Sequence, residues 1–178
     1  MTLSRAKKEA LNPDHLRRLG FFREFSPPEA RRLVGSGIVR TYEDGELLAT
    51  EGTRKQRRIL YVVLQGELAY VKRVRGERAE IMLTLHPGDV GGFLTFFNDE
   101  PSPLSVRSAG HSRVFEIGRR EFQGLMADHP VLAVKVLLTL LRAIVARLDS
   151  FMGEAAATSA WALELEQHLR ERPVAREG

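Results

Sequence analysis

A glycine-rich segment at residues 85–94 has the composition of a site that binds an anion through the backbone. It reads Leu-His-Pro-Gly-Asp-Val-Gly-Gly-Phe-Leu, which predicts a strand end, a turn and the first turn of a helix. Glycine lets backbone N–H groups come close to a bound group, and the N-terminus of a helix attracts negative charge. Residues 101–107, Pro-Ser-Pro-Leu-Ser-Val-Arg, then lead into a returning strand. Together the two stretches have the outline of a phosphate-binding cassette.

The remaining reactive residues offer little for catalysis or metal binding. The chain has no cysteine, which excludes disulfides, thiolate nucleophiles and cysteine–metal sites. Its five histidines are scattered without the spacing of metal ligands, and no serine has an evident histidine–carboxylate partner. We therefore expect a protein that is not an enzyme and that carries no metal or other cofactor.

Composition and charge place the chain among ordinary soluble domains. With 178 residues, of which 43% are hydrophobic, it can bury one core, and its N-terminus lacks the apolar run of a signal peptide. The longest apolar stretch, 131–148, contains Lys135, Arg142 and Arg147, which argues against a membrane span. The net charge is +4, but acidic residues are interspersed, so a solvated surface is favoured over a nucleic-acid surface. A cytoplasmic location is expected.

The elements that must position the cassette fall into a helical start followed by short strands. Residues 5–36 are predicted to be helical, with Ser26 as an N-cap and Pro27 at the first position of a helix. Glycine turns then separate the predicted strands, which span 38–42, 46–50, 59–65, 67–74, 78–85, 104–109 and 112–117. Many short strands at even spacing predict an antiparallel sandwich or jelly roll.

After residue 118 the pattern becomes helical again, with a short helix at 119–128 that His129-Pro130 ends. The long helix that follows carries an apolar seam with alternating steps of three and four, typical of helix pairing. Its members are Val134, Leu137, Leu141, Ile144, Leu148 and Phe151, and Val131, Leu138, Val145 and Met152 widen it. The stripe favours homodimerisation over packing within one chain alone. A kink is expected at Gly153, with a further helix over 155–171.

Three spaced matches carry a resemblance to a known family. They are Tyr-Glu-Asp-Gly-Glu-Leu-Leu at 42–48 with Glu51-Gly52, Leu-Tyr-Val-Val-Leu-Gln-Gly-Glu-Leu at 60–68, and Leu-His-Pro-Gly-Asp at 85–89. The chain resembles the cyclic-nucleotide-binding domain, and in layout the sensor half of Crp/Fnr-type bacterial regulators. The resemblance implies a mainly β fold, an antiparallel β-roll of jelly-roll type, with N-terminal helices and a long C-terminal helix.

This resemblance also suggests a division of the chain into four parts. They are an N-terminal helical segment (1–36), the β-roll (37–128), a dimerisation helix (129–152) and a C-terminal helical extension with its tail (153–178).

The cassette departs from the family pattern at two positions. A competent cassette has Gly-Glu-Leu, whose glutamate binds the ribose 2′-hydroxyl, whereas Phe93 stands at that place here. The family arginine that pairs with the cyclic phosphate falls at or beside Ser102. The candidate ligand-binding residues are therefore Gly91, Gly92, Phe93, Leu94, Ser102, Pro103 and Leu104, in a degenerate cassette. These departures argue against binding of cAMP or cGMP in the usual way.

Regulators of this class carry a helix-turn-helix domain after the long helix, but only about 26 residues follow Met152. Direct DNA binding is therefore not expected. The sequence favours a stand-alone, homodimeric regulatory module that works through an unidentified protein partner. The alternative is a sensor of a cyclic nucleotide, dinucleotide or other small molecule, in which the ligand repositions the long helices.

Overall fold

The computed structural model of the chain describes residues 13–53, 58–74, 79–98 and 100–171. Its helices are α1 (Pro13–Leu16), a 3-10 helix (Gly20–Glu24), α2 (Pro27–Gly35), α3 (Phe93–Phe97), α4 (Arg119–Asp128) and α5 (Pro130–Glu171). Its strands are β1 (Ile38–Tyr42), β2 (Leu47–Ala49), β3 (Ile59–Arg73), β4 (Ala79–Leu85), β5 (Val90–Gly91) and β6 (Ser105–Gly118).

The strands of the described ranges form one antiparallel sheet in the order β1-β6-β3-β4, in which β2 also pairs with β6 and β5 with β3. The predicted fold class, a mainly β roll with flanking helices and a long C-terminal helix, is confirmed.

Two long strands replace four of the predicted short ones. Strand β3 runs through Gly66 and strand β6 runs through Gly110, and both glycines have a positive φ, at 75° and 84°. The register between the two strands shifts around Gln65 and is then resumed on both sides. These glycines therefore bend continuous strands as bulges do, instead of ending them as hairpin turns.

The N-terminal region, predicted to be helical with a helix start at Ser26, consists of α1, the 3-10 helix and α2. Residues 5–12 of that region lie outside the described residues. The predicted start of α2 is present: Ser26 and Glu29 form a capping box in which the Ser26 N–H donates to Glu29 Oε2 at 2.7 Å. Phe22 and Phe25 are buried beneath this region, and the Phe22 ring lies 6.0 Å from that of Phe115 on β6.

Side chains of α2 also connect the N-terminal region to the beginning of α5. Lys135 Nζ lies 2.8 Å from Glu29 Oε2, and Arg32 Nη1 lies 3.2 Å from a ring nitrogen of His129. The Lys135 hydrogen bond, and after it the Ser26 N–H, lowers the pKa of the Glu29 carboxyl to about 2. Glu29 therefore both caps α2 and holds the beginning of α5 against it.

The inside of the roll is filled by side chains from the strands. The core cluster consists of Tyr42, Tyr61, Val63, Leu68, Leu85, Val106 and Val114, with Tyr70 packed against it. One carboxylate is buried among these strands: Glu116 is 1% exposed, receives Arg40 Nε at 2.9 Å and is hydrogen-bonded by the Tyr42 hydroxyl. The ion pair between this buried carboxylate and the partly buried Arg40 joins β1 to β6.

The chain divides into two units, with the boundary between Thr139 and Leu140 inside α5. In the first unit, Leu132, Ala133 and Val136 are buried. In the second, every side chain from residue 148 to 164 is exposed. Helix α5 continues through Gly153 to Glu171, so the further helix predicted over 155–171 is part of α5. Among the described residues, no helix combines the length and apolar character needed to cross a membrane.

Candidate functional site

The predicted cassette folds as expected up to the start of its helix. The turn before it is closed by Asp89, whose Oδ2 accepts the His86 N–H at 2.9 Å. Strand β5 then pairs Gly91 with Tyr61 of β3, and Gly92 has a φ of 84° directly before α3. The segment is thus held against β3 by a short antiparallel pairing.

Two tyrosines of β3 occupy the space next to these glycines. A Cβ on Gly91 would lie 2.5 Å from the Tyr61 ring and 2.5 Å from Tyr70 Oη, and a Cβ on Gly92 would also meet the Tyr61 ring. The Gly92 N–H donates to Tyr70 Oη at 3.3 Å, and the Tyr61 hydroxyl donates to the same oxygen at 2.6 Å. The space that glycine leaves open at these two positions is therefore occupied by the side chains of Tyr61 and Tyr70.

This tyrosine pair depends on the curl of β3. Nine residues separate Tyr61 from Tyr70, and in a straight strand their Cα atoms would be roughly 30 Å apart. The hydroxyls meet because β3 bends at the Gly66 bulge. Sequence reasoning missed both tyrosines, since nothing local in the pattern indicates how strongly a strand curls.

The second half of the cassette, Ser102–Leu104, is fixed by local hydrogen bonds. Ser102 is buried, and its hydroxyl donates to Leu104 O at 2.7 Å. Its carbonyl accepts the Gly52 N–H at 2.9 Å, and Lys72 Nζ donates to Pro103 O at 2.9 Å. Ser102, at or beside which the family arginine is expected, therefore stabilises its own turn.

Lys72 brings a positive charge to this segment from β3. Since side chains alternate along a strand, Tyr70 and Lys72 project from the same face, and they contact the two halves of the cassette. Lys72 also forms an ion pair with Glu51 Oε1 at 2.6 Å, and the Arg73 N–H donates to Glu51 Oε2 at 3.1 Å. The Lys72 hydrogen bond, followed by that of Arg73, holds the pKa of the Glu51 carboxyl below its usual value.

The apolar cassette residues lie partly at the surface. Phe93 and Leu104 are half-buried, whereas Leu94 is exposed. Phe96 is buried, with its ring 5.7 Å from that of Phe122 on α4, and Arg119 donates to the Phe96 carbonyl through both Nε and Nη2. Helix α3 is thereby attached to α4.

The apolar seam predicted on the long helix lies partly at the surface. Val134, Leu141, Leu148 and Phe151 are exposed, whereas Leu137 and Ile144 are half-buried. A stripe in which every member is exposed keeps the alternating steps of three and four but is rotated by part of a turn. It consists of Val131, Val134, Leu138, Leu141, Val145, Leu148 and Met152. The spacing of apolar residues alone could not indicate which of the two stripes is exposed, because the helix is apolar on both of these faces.

Comparison with known proteins gives one family model and several distant relatives. The model described as "Cyclic nucleotide-binding domain" matches residues 39–129, just over half of the chain. "Neuropathy target esterase sws" of Drosophila persimilis is 28% identical over 123 residues, covering 65% of this chain and 8% of the esterase. The "CRP-like cAMP-activated global transcriptional regulator" of Mycobacterium tuberculosis is 24% identical, covering 71% of this chain and 56% of the regulator.

A similar fold occurs among solved structures. A cyclic nucleotide-binding domain from Methylobacillus flagellatus superimposes with a TM-score of 0.67 at 23% identity, covering 77% of this chain and 76% of that one. The chain thus spans only a small part of the esterase and little more than half of the regulator.

Proposed function

Because the chain belongs to the cyclic nucleotide-binding domain family, we propose that it is a non-catalytic regulatory module that works as a homodimer without cAMP or cGMP in its roll. Its output is contact with a protein partner. The observation that carries this proposal is the hydrogen bond of the Gly92 N–H to Tyr70 Oη, with Tyr61 beside it. A cassette amide that already has a partner inside the protein gains little from a nucleotide phosphate.

The replaced side chains support the same conclusion. In the family pattern, a glutamate binds the ribose and an arginine binds the phosphate, whereas this chain has Phe93 and Ser102. A charge-assisted pair to phosphate contributes up to about 3 kcal/mol, which corresponds to roughly 100-fold in affinity. The Ser102 hydroxyl is committed to Leu104 O and does not replace that pair.

Thermal unfolding in the presence of cAMP and cGMP tests the ligand-independent state. A ligand that binds only the folded protein, at 100 times its Kd, would stabilise it by about 2.7 kcal/mol. We expect no rise in the Tm of the wild-type protein. The matched variant Phe93→Glu with Ser102→Arg restores both family side chains, and calorimetry should then detect cAMP binding. Micromolar binding of either nucleotide by the wild-type protein would contradict the proposal.

The homodimer is proposed to form through the exposed stripe on α5. Large apolar side chains that recur every three and four residues form the contact surface of paired helices, and a second copy presents the same stripe. Leu141 and Leu148 are each more than half exposed in the single chain, so burial between two copies would remove them from water.

A small-molecule sensor is the second candidate function, and the attachment of α3 to α4 favours it. The ring contact between Phe96 and Phe122 and the Arg119 hydrogen bond would pass a shift of the cassette helix on to α4. Screening cyclic dinucleotides for a rise in Tm, together with a change in the emission of Trp161, tests this candidate. A panel that changes neither signal removes it.

A further inference from the structure

The ion pair between Lys72 and Glu51 gives both carboxylate oxygens of Glu51 a donor from β3. One carboxylate oxygen of Glu51 receives the Lys72 ammonium at 2.6 Å, and the other receives the Arg73 N–H at 3.1 Å. Each oxygen therefore has its own donor. The same ammonium donates to Pro103 O at 2.9 Å, which fixes it beside the second half of the cassette.

The pair is accessible to dissolved anions. The Lys72 side chain is 41% exposed and that of Glu51 is 22% exposed. Ion pairs in contact with water are weak, so a solute anion of sufficient affinity can compete with the carboxylate. A phosphate oxygen and a carboxylate oxygen accept the same charge-assisted hydrogen bonds from an ammonium group.

We propose that Lys72 and the Arg73 N–H form an anion-binding site in which the Glu51 carboxylate is the resident ligand. The site takes the phosphate or carboxylate group of a small molecule when the resident carboxylate is withdrawn. This inference does not depend on dimerisation, and it explains how the cassette keeps a cation although its arginine is missing. It also assigns Glu51 a role that the family comparison does not.

The test measures the Tm of Glu51→Gln while inorganic phosphate, sodium acetate or cAMP is added at constant ionic strength. The variant keeps the size of the side chain but removes its charge. Phosphate at about ten times its Kd should shift the folding equilibrium of the variant roughly 10-fold toward the native state. The wild-type protein should shift far less, because Glu51 competes.

The control is Glu51→Gln combined with Lys72→Met, which should abolish the response. A rise with phosphate and cAMP assigns the site to phosphate ligands, and a rise with acetate alone assigns it to carboxylates. No rise in any arm, or an equal rise in the double variant, overturns the proposal.

If Glu51→Gln does not fold, Glu51→Asp provides the same test, because the shorter chain withdraws the carboxylate while keeping its charge. Its response should be smaller and should again disappear with Lys72→Met. A Glu51→Asp response that persists without Lys72 also overturns the proposal. Wild-type affinity for cAMP and the dimer mass are measured separately, so failure of this site and failure of the proposed function are distinguishable.

Discussion

Replacing Leu141 and Leu148 with glutamate should dissociate the proposed dimer while leaving the folded chain intact. Both side chains belong to the exposed stripe of α5, at 55% and 56% exposure. Glutamate is a good helix former, so the substitutions cost the helix itself little. In a monomer these positions face water and tolerate charge, whereas between two helices they would have to bury it.

The magnitude follows from the area that remains to be buried. Full burial of a leucine contributes about 1.5–3 kcal/mol, and since about half of each side chain is still exposed, roughly 1 kcal/mol per leucine is available. Two leucines from each copy give about 4 kcal/mol per dimer, which corresponds to a Kd weakened roughly 1000-fold. Desolvation of the introduced carboxylates adds to this loss.

Light scattering after size-exclusion chromatography measures the effect, with thermal unfolding as the check on folding. The matched control is Ala146→Glu with Ser150→Glu, which introduces the same two charges at exposed positions away from the stripe. We expect a dimer for the wild type and the control, and a monomer for the leucine variant. An unchanged dimer mass for the leucine variant would refute the stripe as the interface, and a monomeric wild type would refute dimerisation altogether.

Other predictions concern the ion pairs and the cassette. Glu29→Gln should lower the free energy of unfolding by about 1 kcal/mol near neutral pH. Because the pKa of Glu29 in the folded protein is lowered from 4.5 to about 2, this contribution is present above pH 4.5 and is lost as the pH falls toward 2. Unfolding curves of the variant and the wild type should therefore converge near pH 2. Glu116→Leu should cost about 3–5 kcal/mol in urea unfolding, because it removes the buried carboxylate that accepts hydrogen bonds from the Arg40 guanidinium and the Tyr42 hydroxyl. A smaller loss than that of Glu29→Gln would contradict this contribution of the Glu116 carboxylate. Gly91→Ala should lower the Tm, since its Cβ would lie 2.5 Å from two tyrosine side chains, and an unchanged Tm would mean that the Tyr61 ring is free to move away.

The parts of the fold that could be predicted are those encoded by neighbouring residues. The start of α2 at Ser26 and the bounds of the helix at 119–128 follow from capping residues and a proline. The sequence predicts a turn at Gly66 between the strands 59–65 and 67–74, because a glycine that bends a strand and one that ends it have the same local sequence. The difference is decided by β6, which pairs with β3 on both sides of the bend.

The candidate site was predictable only in part for the same reason. The positions of the cassette glycines and of Ser102 followed from the order of motifs along the chain. Predicting the contacts of Tyr70 with Gly92 and of Lys72 with Pro103 requires knowing how β3 bends and which of its side chains face the cassette. No local sequence pattern specifies either. The rotation of the exposed stripe on α5 likewise depends on which face the rest of the domain covers.

The attachment of the N-terminal region limits how the roll can be moved into another protein. The Phe21 N–H donates to Gly88 O at 3.1 Å, and a side chain at residue 88 would lie 2.4 Å from the backbone nitrogen of Gly20. A fragment cut to the family match at 39–129 would lose this contact and uncover the Phe115 ring that Phe22 covers. A fragment for fusion or expression should therefore begin before Leu16 and extend past Lys135. It then keeps the contact between the Phe22 and Phe115 rings and the ion pair between Glu29 and Lys135.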